Sequence, residues 1–252
     1  MSMNLKVAVI QPPLKEPESF VLDALAHLED HHVAVLPEMW LTGFDTSPEA
    51  LEKSSAFIER VKELSKGMDT LIFAGTFPYK EGEKTYNTSV VIHRGSIVHT
   101  RRKLYLFQPM GEDKLFCPGE PPKILTYQGV GFSVVICYEL RFPDIFYLIG
   151  LKKPQIMVVQ AQWPSARHHH WRKLLRARAI ESQAFVIAAN VVGKRKDLVF
   201  NGGSAVIHPL GETMVEANRC ETVLSCSISL EEVEKYRKQI PVLEDMGRYG
   251  VV

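Results

Sequence analysis

Net charge is nearly absent from this 252-residue chain: 30 lysines and arginines stand against 29 acidic residues, leaving +1. That balance gives no general attraction to nucleic acid or an anionic membrane, and neither is expected as a partner. No apolar run approaches the roughly 18 residues needed to cross a bilayer. The stretch before Leu14 has one short apolar run, Val7-Ala-Val-Ile10, and no small-residue cleavage site, so no signal peptide is read there. The four cysteines, Cys117, Cys137, Cys220 and Cys226, form no C-x-x-C pair. In a chain of this length without an export signal they are expected as reduced thiols, and the expected compartment is the cytoplasm. No linker, composition shift or repeat of fixed period divides the chain, which points to one domain over 1–252.

What is present is core material and a regular alternation of elements. With 46% hydrophobic residues the chain can bury a sizeable core. Residues 5–10 and 33–36 read as strands around a helix with Val21, Leu22, Leu25 and Leu28 on one stripe, a unit whose crossover is right-handed and parallel. Ser47-Pro48 starts a second helix, which Gly67 stops. Strands 88–93 and 97–102 flank the hairpin break Arg94-Gly95-Ser96. Residues 104–122 have no period and are expected as a long surface loop, a length that usually carries function. A second strand–helix–strand unit spans 132–159, and a long helix follows over 166–183. Strands are expected over 185–192, 204–208 and 222–228. Ser229 and Glu232 make a capping box for a last short helix. Residues 241–252 show no period and are expected to fray or to form an interface tail. Parallel units mixed with hairpins predict an α/β protein with two mixed sheets packed face to face and helices outside.

Three strand ends carry chemistry-bearing residues. The run 132–136 ends at Cys137 and the run 33–36 ends at Pro37-Glu38, while Lys103 follows Arg101-Arg102. Each has a plain reading on its own: a core thiol, a solvated or paired carboxylate, a surface charge. Together they suit acyl transfer at an amide. A thiol of pKa ~8.5 needs a base or a nearby cation. A buried carboxylate takes the thiol proton and returns it to departing ammonia. An ammonium holds the developing oxyanion, where losing one donor costs about 10²–10³ in rate. Glu112, nine residues after Lys103, is placed to hold that lysine.

These residues sit in segments that resemble the nitrilase, or carbon–nitrogen hydrolase, superfamily. Leu36-Pro-Glu-Met-Trp-Leu-Thr-Gly-Phe44 resembles its glutamate motif, Arg101-Arg-Lys-Leu-Tyr-Leu-Phe107 its lysine motif, and Val135-Ile-Cys-Tyr-Glu-Leu-Arg-Phe-Pro143 its cysteine motif, in the family order. Gly111-Glu112 with Cys117-Pro-Gly119 resembles the second-glutamate loop, and further blocks extend the likeness over essentially the whole chain. The resemblance implies a four-layer αββα sandwich, pairing into a homodimer or higher homo-oligomer, and no metal or organic cofactor. It implies Cys137 as nucleophile, Glu38 as general base, Lys103 with the Tyr138 backbone N–H as oxyanion holders, and Glu112 as a support for Lys103. Among family branches the chain looks most like the omega-amidases, which hydrolyse 2-oxoglutaramate and related monoamides. Other small amides, N-carbamoyl compounds and an inactive binding role are the alternatives. A substrate with a free carboxylate calls for a cation, for which Arg167 is the candidate, and Phe44 and Trp163 are candidate pocket walls or simply core. Glu139 and Arg141, just after the nucleophile, are expected to pair with each other.

Other signals are weaker. His168-His169-His170 point in different directions at a helix start and do not share one tetrahedral metal easily. Lys194-Arg195-Lys196-Asp197 reads as a solvated loop. A Cys–His–Asn site would cast His208 and Asn190, but no G-x-C-x-G elbow surrounds Cys137.

Overall fold

The computed structural model describes residues 3–249. It opens with β1 (Asn4–Gln11), α1 (Pro17–Ala26) and β2 (Val33–Val35), with the two strands parallel. Next, α2 (Pro48–Ser65) leads to β3 (Leu71–Glu81), parallel to β2, and hairpins add β4 (Lys84–His93) and β5 (Ser96–Arg102) antiparallel. Beyond a segment holding α3 (Glu112–Leu115), the scheme restarts as β6 (Ile124–Tyr127), β7 (Val130–Ile136), α4 (Pro143–Gly150), β8 (Ile156–Gln160), α5 (His168–Ser182) and β9 (Phe185–Ala189). A separate ribbon, β10 (Val192–Arg195) and β11 (Leu198–Asn201), precedes β12 (Ala205–Ile207), β13 (Thr213–Glu216) and β14 (Thr222–Ser229). Helices α6 (Leu230–Gln239) and α7 (Val242–Tyr249) follow.

Two six-stranded mixed sheets result, in the orders β14-β1-β2-β3-β4-β5 and β13-β12-β9-β8-β7-β6. Each has three parallel strands at its centre, β1-β2-β3 in one and β7-β8-β9 in the other. Side-chain alternation builds the layers. Val7, Val9, Val33, Val35 and Phe73 meet Phe132, Val134, Ile136 and Val158 between the sheets. The opposite faces of the same strands, through Ala8, Ile10, Ala34 and Ile72, pack on Val21, Leu25, Phe57 and Val61 of α1 and α2. Val135, Met157 and Val159 likewise pack on Ile145, Trp171 and Leu175 of α4 and α5. This is the αββα sandwich. Strands buried on both faces have no polar side to alternate, which is why they read as continuous apolar runs.

Two local signals held. Ser47 accepts the Ala50 N–H at 3.2 Å and Pro48 opens α2. Arg94 and Gly95 take φ of 45° and 79°, the two positive values of a tight hairpin. Two expectations need correction. Ser229 stands at the α6 N-cap, but its side chain caps nothing, and Glu232 turns to His208 at 3.3 Å. The 185–192 stretch divides, because the chain leaves the sheet after Ala189 and enters the ribbon at Val192. The tail is helical: Leu243 and Met246 of α7 press on Gly150, where an added Cβ would lie within 3.2 Å of both. Residues 250–252, the end of that expected tail, lie outside the described residues. Among the described residues no helix is long and apolar enough to cross a membrane.

Candidate active site

The parallel centres of both sheets send their carboxyl ends to one rim. Pro37 ends the chain's extended run after β2 and delivers Glu38, which is fully buried. Met39 then takes φ 43°, and its N–H donates to the Thr76 hydroxyl and carbonyl, so the turn is braced from β3. Lys103 follows β5, and its N–H donates to the Asn87 carbonyl of β4 at 2.8 Å. Its side chain is 1% exposed, which overrules the surface-charge reading. Cys137 follows β7 directly, with φ 46°. A non-glycine residue in this left-handed region costs of order 1–2 kcal/mol and persists only where its surroundings impose it.

Side chains from four segments close into one buried cluster. The Lys103 Nζ donates to Glu38 Oε1 at 2.8 Å and to Glu112 Oε1 and Oε2 at 2.9 and 2.8 Å. Asn87 Nδ2 donates to Glu38 Oε1 and Glu112 Oε1, each at 2.9 Å. The Phe107 N–H donates to Glu112 Oε2 at 2.7 Å and the Gln162 N–H to Glu38 Oε2 at 3.2 Å. Glu112 therefore sits where the sequence placed it, at the lysine. The Cys137 Sγ lies 3.8 Å from the Gln162 carbonyl oxygen, which accepts from the thiol. The Tyr138 N–H stands at the amino end of a short helical turn, Cys137–Arg141, where N–H groups have no intrahelical acceptor.

The expected Glu139–Arg141 pair does not form. Glu139, fully buried, accepts from Arg101 Nη1 and Nη2 at 2.5 and 2.8 Å. It also accepts the Leu104 N–H at 2.6 Å and the Ile136 N–H at 2.7 Å. It thus ties the backbone after Lys103 to the backbone before Cys137. Arg141 instead faces the cavity, its guanidinium 4.6 Å from the Trp163 ring centroid and 3.3 Å from His170 Nδ1.

Two carboxylates share one ammonium here, and the charges follow. Burial works against the Lys103 charge, but Glu38 and Glu112 outweigh it and hold the ammonium above its ordinary pKa. Burial raises Glu38, and the nearby Glu112 adds to this against the downward pull of Lys103. Burial first, and the negative Glu38 second, push the Cys137 thiol well above its ordinary range against the pull of Lys103. The resting thiol is therefore neutral beside a carboxylate of raised basicity. A pair of this kind can pass a proton from sulfur to carboxylate as the sulfur attacks, without a standing thiolate.

The cluster floors a cavity of about 810 Å³. Phe44, Trp163 and Arg167 all line it, as does Arg195 from the ribbon. Trp163 is also core, packed 5.6 Å from Trp171, so it serves both roles left open for it. Phe44 lies with its ring centroid 6.0 Å from Lys103 Nζ. Arg167 has its guanidinium 5.4 Å from the Phe107 ring centroid. His208 and Asn190 are employed elsewhere: His208 at Glu232, Asn190 holding the Trp163 and Val191 N–H groups. His168 packs over Gly203, and His170 faces Arg141. All four cysteines are free thiols.

A carbon–nitrogen hydrolase family model matches residues 6–238. The chain belongs to the carbon–nitrogen hydrolase family. It is 34% identical to the 2-oxoglutaramate amidase of Bacillus subtilis over 93% of this chain and 91% of that one. It is 29% identical to an omega-amidase of Yersinia enterocolitica over 98% of each. Its structure is similar to that of a carbon–nitrogen hydrolase superfamily protein from Xanthomonas campestris that carries an arsenic adduct in its active site. That match has a TM-score of 0.85, with 26% identity and coverage of 96% and 97%.

Reading the sequence of this carbon–nitrogen hydrolase missed three residues around the cluster. Asn87 bridges both carboxylates; it lies just ahead of the expected 88–93 strand, and only the longer β4 of the structure places it mid-strand. Gln162 meets Glu38 through its N–H, the thiol through its carbonyl and Met39 through its side chain at 2.7 Å. It lies two residues beyond the end of β8, where no pattern in the sequence sets it apart. Arg195 sits in a run that reads as a solvated loop, and no local signal marks it otherwise.

Proposed function

We propose that this carbon–nitrogen hydrolase is a cysteine-dependent amidase acting on the terminal amide of a small dicarboxylic acid monoamide, such as 2-oxoglutaramate. The observation that carries the proposal is the closed Glu38–Lys103–Glu112 cluster beside a neutral thiol, at the floor of a cavity walled by arginines. The names of the Bacillus and Yersinia relatives support the amide class and the acidic substrate.

In this scheme Cys137 Sγ attacks the amide carbon while Glu38 takes the thiol proton. The carbonyl oxygen becomes an oxyanion held by Lys103 Nζ and the Tyr138 N–H. Glu112, already bonded to Nζ, keeps the ammonium charged and fixed. The C–N bond then breaks, and Glu38 gives its proton to the departing nitrogen, leaving ammonia and a thioester. Water attacks the thioester as Glu38 takes its proton, the C–S bond breaks, and the proton returns to the thiol. Amide and water become acid and ammonia, with no other reactant. Oxyanion donors of this kind are worth about 10²–10³ in rate each. A carboxylate on the substrate meets a cationic wall, since Arg141, Arg167 and Arg195 all line the cavity. The family resemblance adds that the single domain pairs with a second copy, with α7 a candidate contact, which light scattering measures.

Ammonia release from a panel of ω-monoamides, carbamoyl amino acids and nitriles tests the assignment. The ω-monoamides are expected to lead. A preference for carbamoyl amino acids or nitriles moves the enzyme to another branch, and parent-rate turnover by Cys137→Ala overturns the scheme.

A further inference from the structure

We propose that Arg195 is the cation that selects acidic amides in this site, presented to the cavity by the β10–β11 ribbon. The ribbon belongs to neither sheet, yet its base is tied down. The Leu14 N–H donates to the Val192 carbonyl at 2.9 Å, and the Val192 N–H to the Pro12 carbonyl at 3.1 Å. Arg195, at the end of β10, lines the same cavity as Cys137. Its Nη1 donates to Gln162 Oε1 at 3.4 Å. Gln162 is the residue whose N–H meets Glu38 and whose carbonyl meets the thiol. The guanidinium is thus one residue removed from both reacting groups.

Space has been left for it. Gly43 takes φ +70°, and a Cβ there would lie 2.3 Å from Arg195 Nη1 and 2.9 Å from its Cζ. Any side chain at position 43 would evict the guanidinium. Among the described residues, the two most deeply buried arginines each answer to a carboxylate: Arg101 to Glu139 and Arg178 to Glu181. Arg195 does not. Asp45 and Asp197 line the cavity as well, but among the described residues no carboxylate forms an ion pair with Arg195. Burial alone holds it below the ordinary arginine pKa. A guanidinium has five N–H donors in a planar fork suited to a carboxylate, and here one of them is engaged, by a neutral amide oxygen. The missing counterion is supplied by the substrate's distal carboxylate.

This inference rests on the amidase reading above, and the experiment separates the two. Arg195→Gln is compared with the parent on 2-oxoglutaramate and succinamate against neutral amides of equal length. The ratio of kcat/KM for acidic over neutral amides is expected to fall about 10- to 100-fold, mainly through KM, as for a lost charge-assisted contact. Arg195→Lys is expected to recover part of it. Glutarate titrated calorimetrically into Cys137→Ala protein, with and without Arg195→Gln, gives a readout independent of turnover. Loss of glutarate binding with the arginine supports the assignment even in a protein that hydrolyses no amide. An unchanged selectivity ratio, or glutarate bound equally without the arginine or not at all, overturns it while leaving the thiol chemistry standing.

Discussion

Glu139→Gln is expected to weaken the fold and the catalyst together. The carboxylate is fully buried and takes four hydrogen bonds, two from Arg101 and one each from the Leu104 and Ile136 N–H groups. Glutamine keeps the shape but turns an NH₂ toward groups that are all donors. It also leaves Arg101, 5% exposed, without its counterion. Breaking a buried pair by removing one partner costs about 3–5 kcal/mol. At about 2–4 °C per kcal/mol for a protein of this size, Tm should fall by about 6–20 °C. The same oxygens fix the chain on either side of the site, at Leu104 after Lys103 and at Ile136 before Cys137. A shift of about 1 Å in such positioning costs about 10²-fold. Thermal unfolding followed by circular dichroism, and ammonia release measured well below the variant's Tm, check both effects. Replacing the pair with Arg101→Met and Glu139→Leu should recover much of the stability, since no charge is then buried alone. Activity should stay low, because two backbone N–H groups still lack acceptors. A Glu139→Gln protein with parental kcat and a Tm within about 2 °C of the parent refutes the reasoning.

Two further outcomes follow from the cluster. Asn87→Ala removes the N–H that meets both carboxylates. It should lower kcat about 10- to 100-fold with little change in KM, and an effect confined to KM would place Asn87 at the substrate instead. The raised Glu38 pKa puts the acid limb of kcat/KM above the ordinary glutamate value of 4.5, because the base must be ionised to accept the thiol proton. The matching stability term has the opposite sense. With the folded-state pKa above the unfolded one, Glu38 favours the fold fully below the ordinary value, and that contribution is lost as pH rises through the raised one. An acid limb at or below 4.5 would remove Glu38 from the role of base.

Layers and strands were legible in this chain because burial on both faces leaves a mark along the sequence itself. Apolar runs such as 132–136 and 156–159 have no solvent side to interrupt them. The start of α2 and the 94–95 hairpin were equally legible, since caps and left-handed turns are chosen by neighbouring residues. Glu38, Lys103 and Cys137 stood out as chemistry-bearing residues at the ends of such runs. Side-chain partners are not set by short-range spacing. Glu139 and Arg141 are two apart in a tight turn, where side chains diverge, and Glu139 found Arg101 across 38 positions instead. Ser229 had a capping sequence, but Glu232, its reciprocal partner, was drawn to His208 on another element.

By itself, then, the sequence determined which segments are core and which carboxylate, ammonium and thiol stand at their ends. Those properties depend on a residue and its near neighbours. The tertiary structure alone decided what surrounds those three residues. Asn87 reaches Glu38 across 49 positions, and the Gln162 N–H reaches it across 124. Arg195 acquires its position from a gap at Gly43, far away in the chain. Such contacts exist only once two sheets have been stacked and their rims brought level, and local composition carries no trace of them.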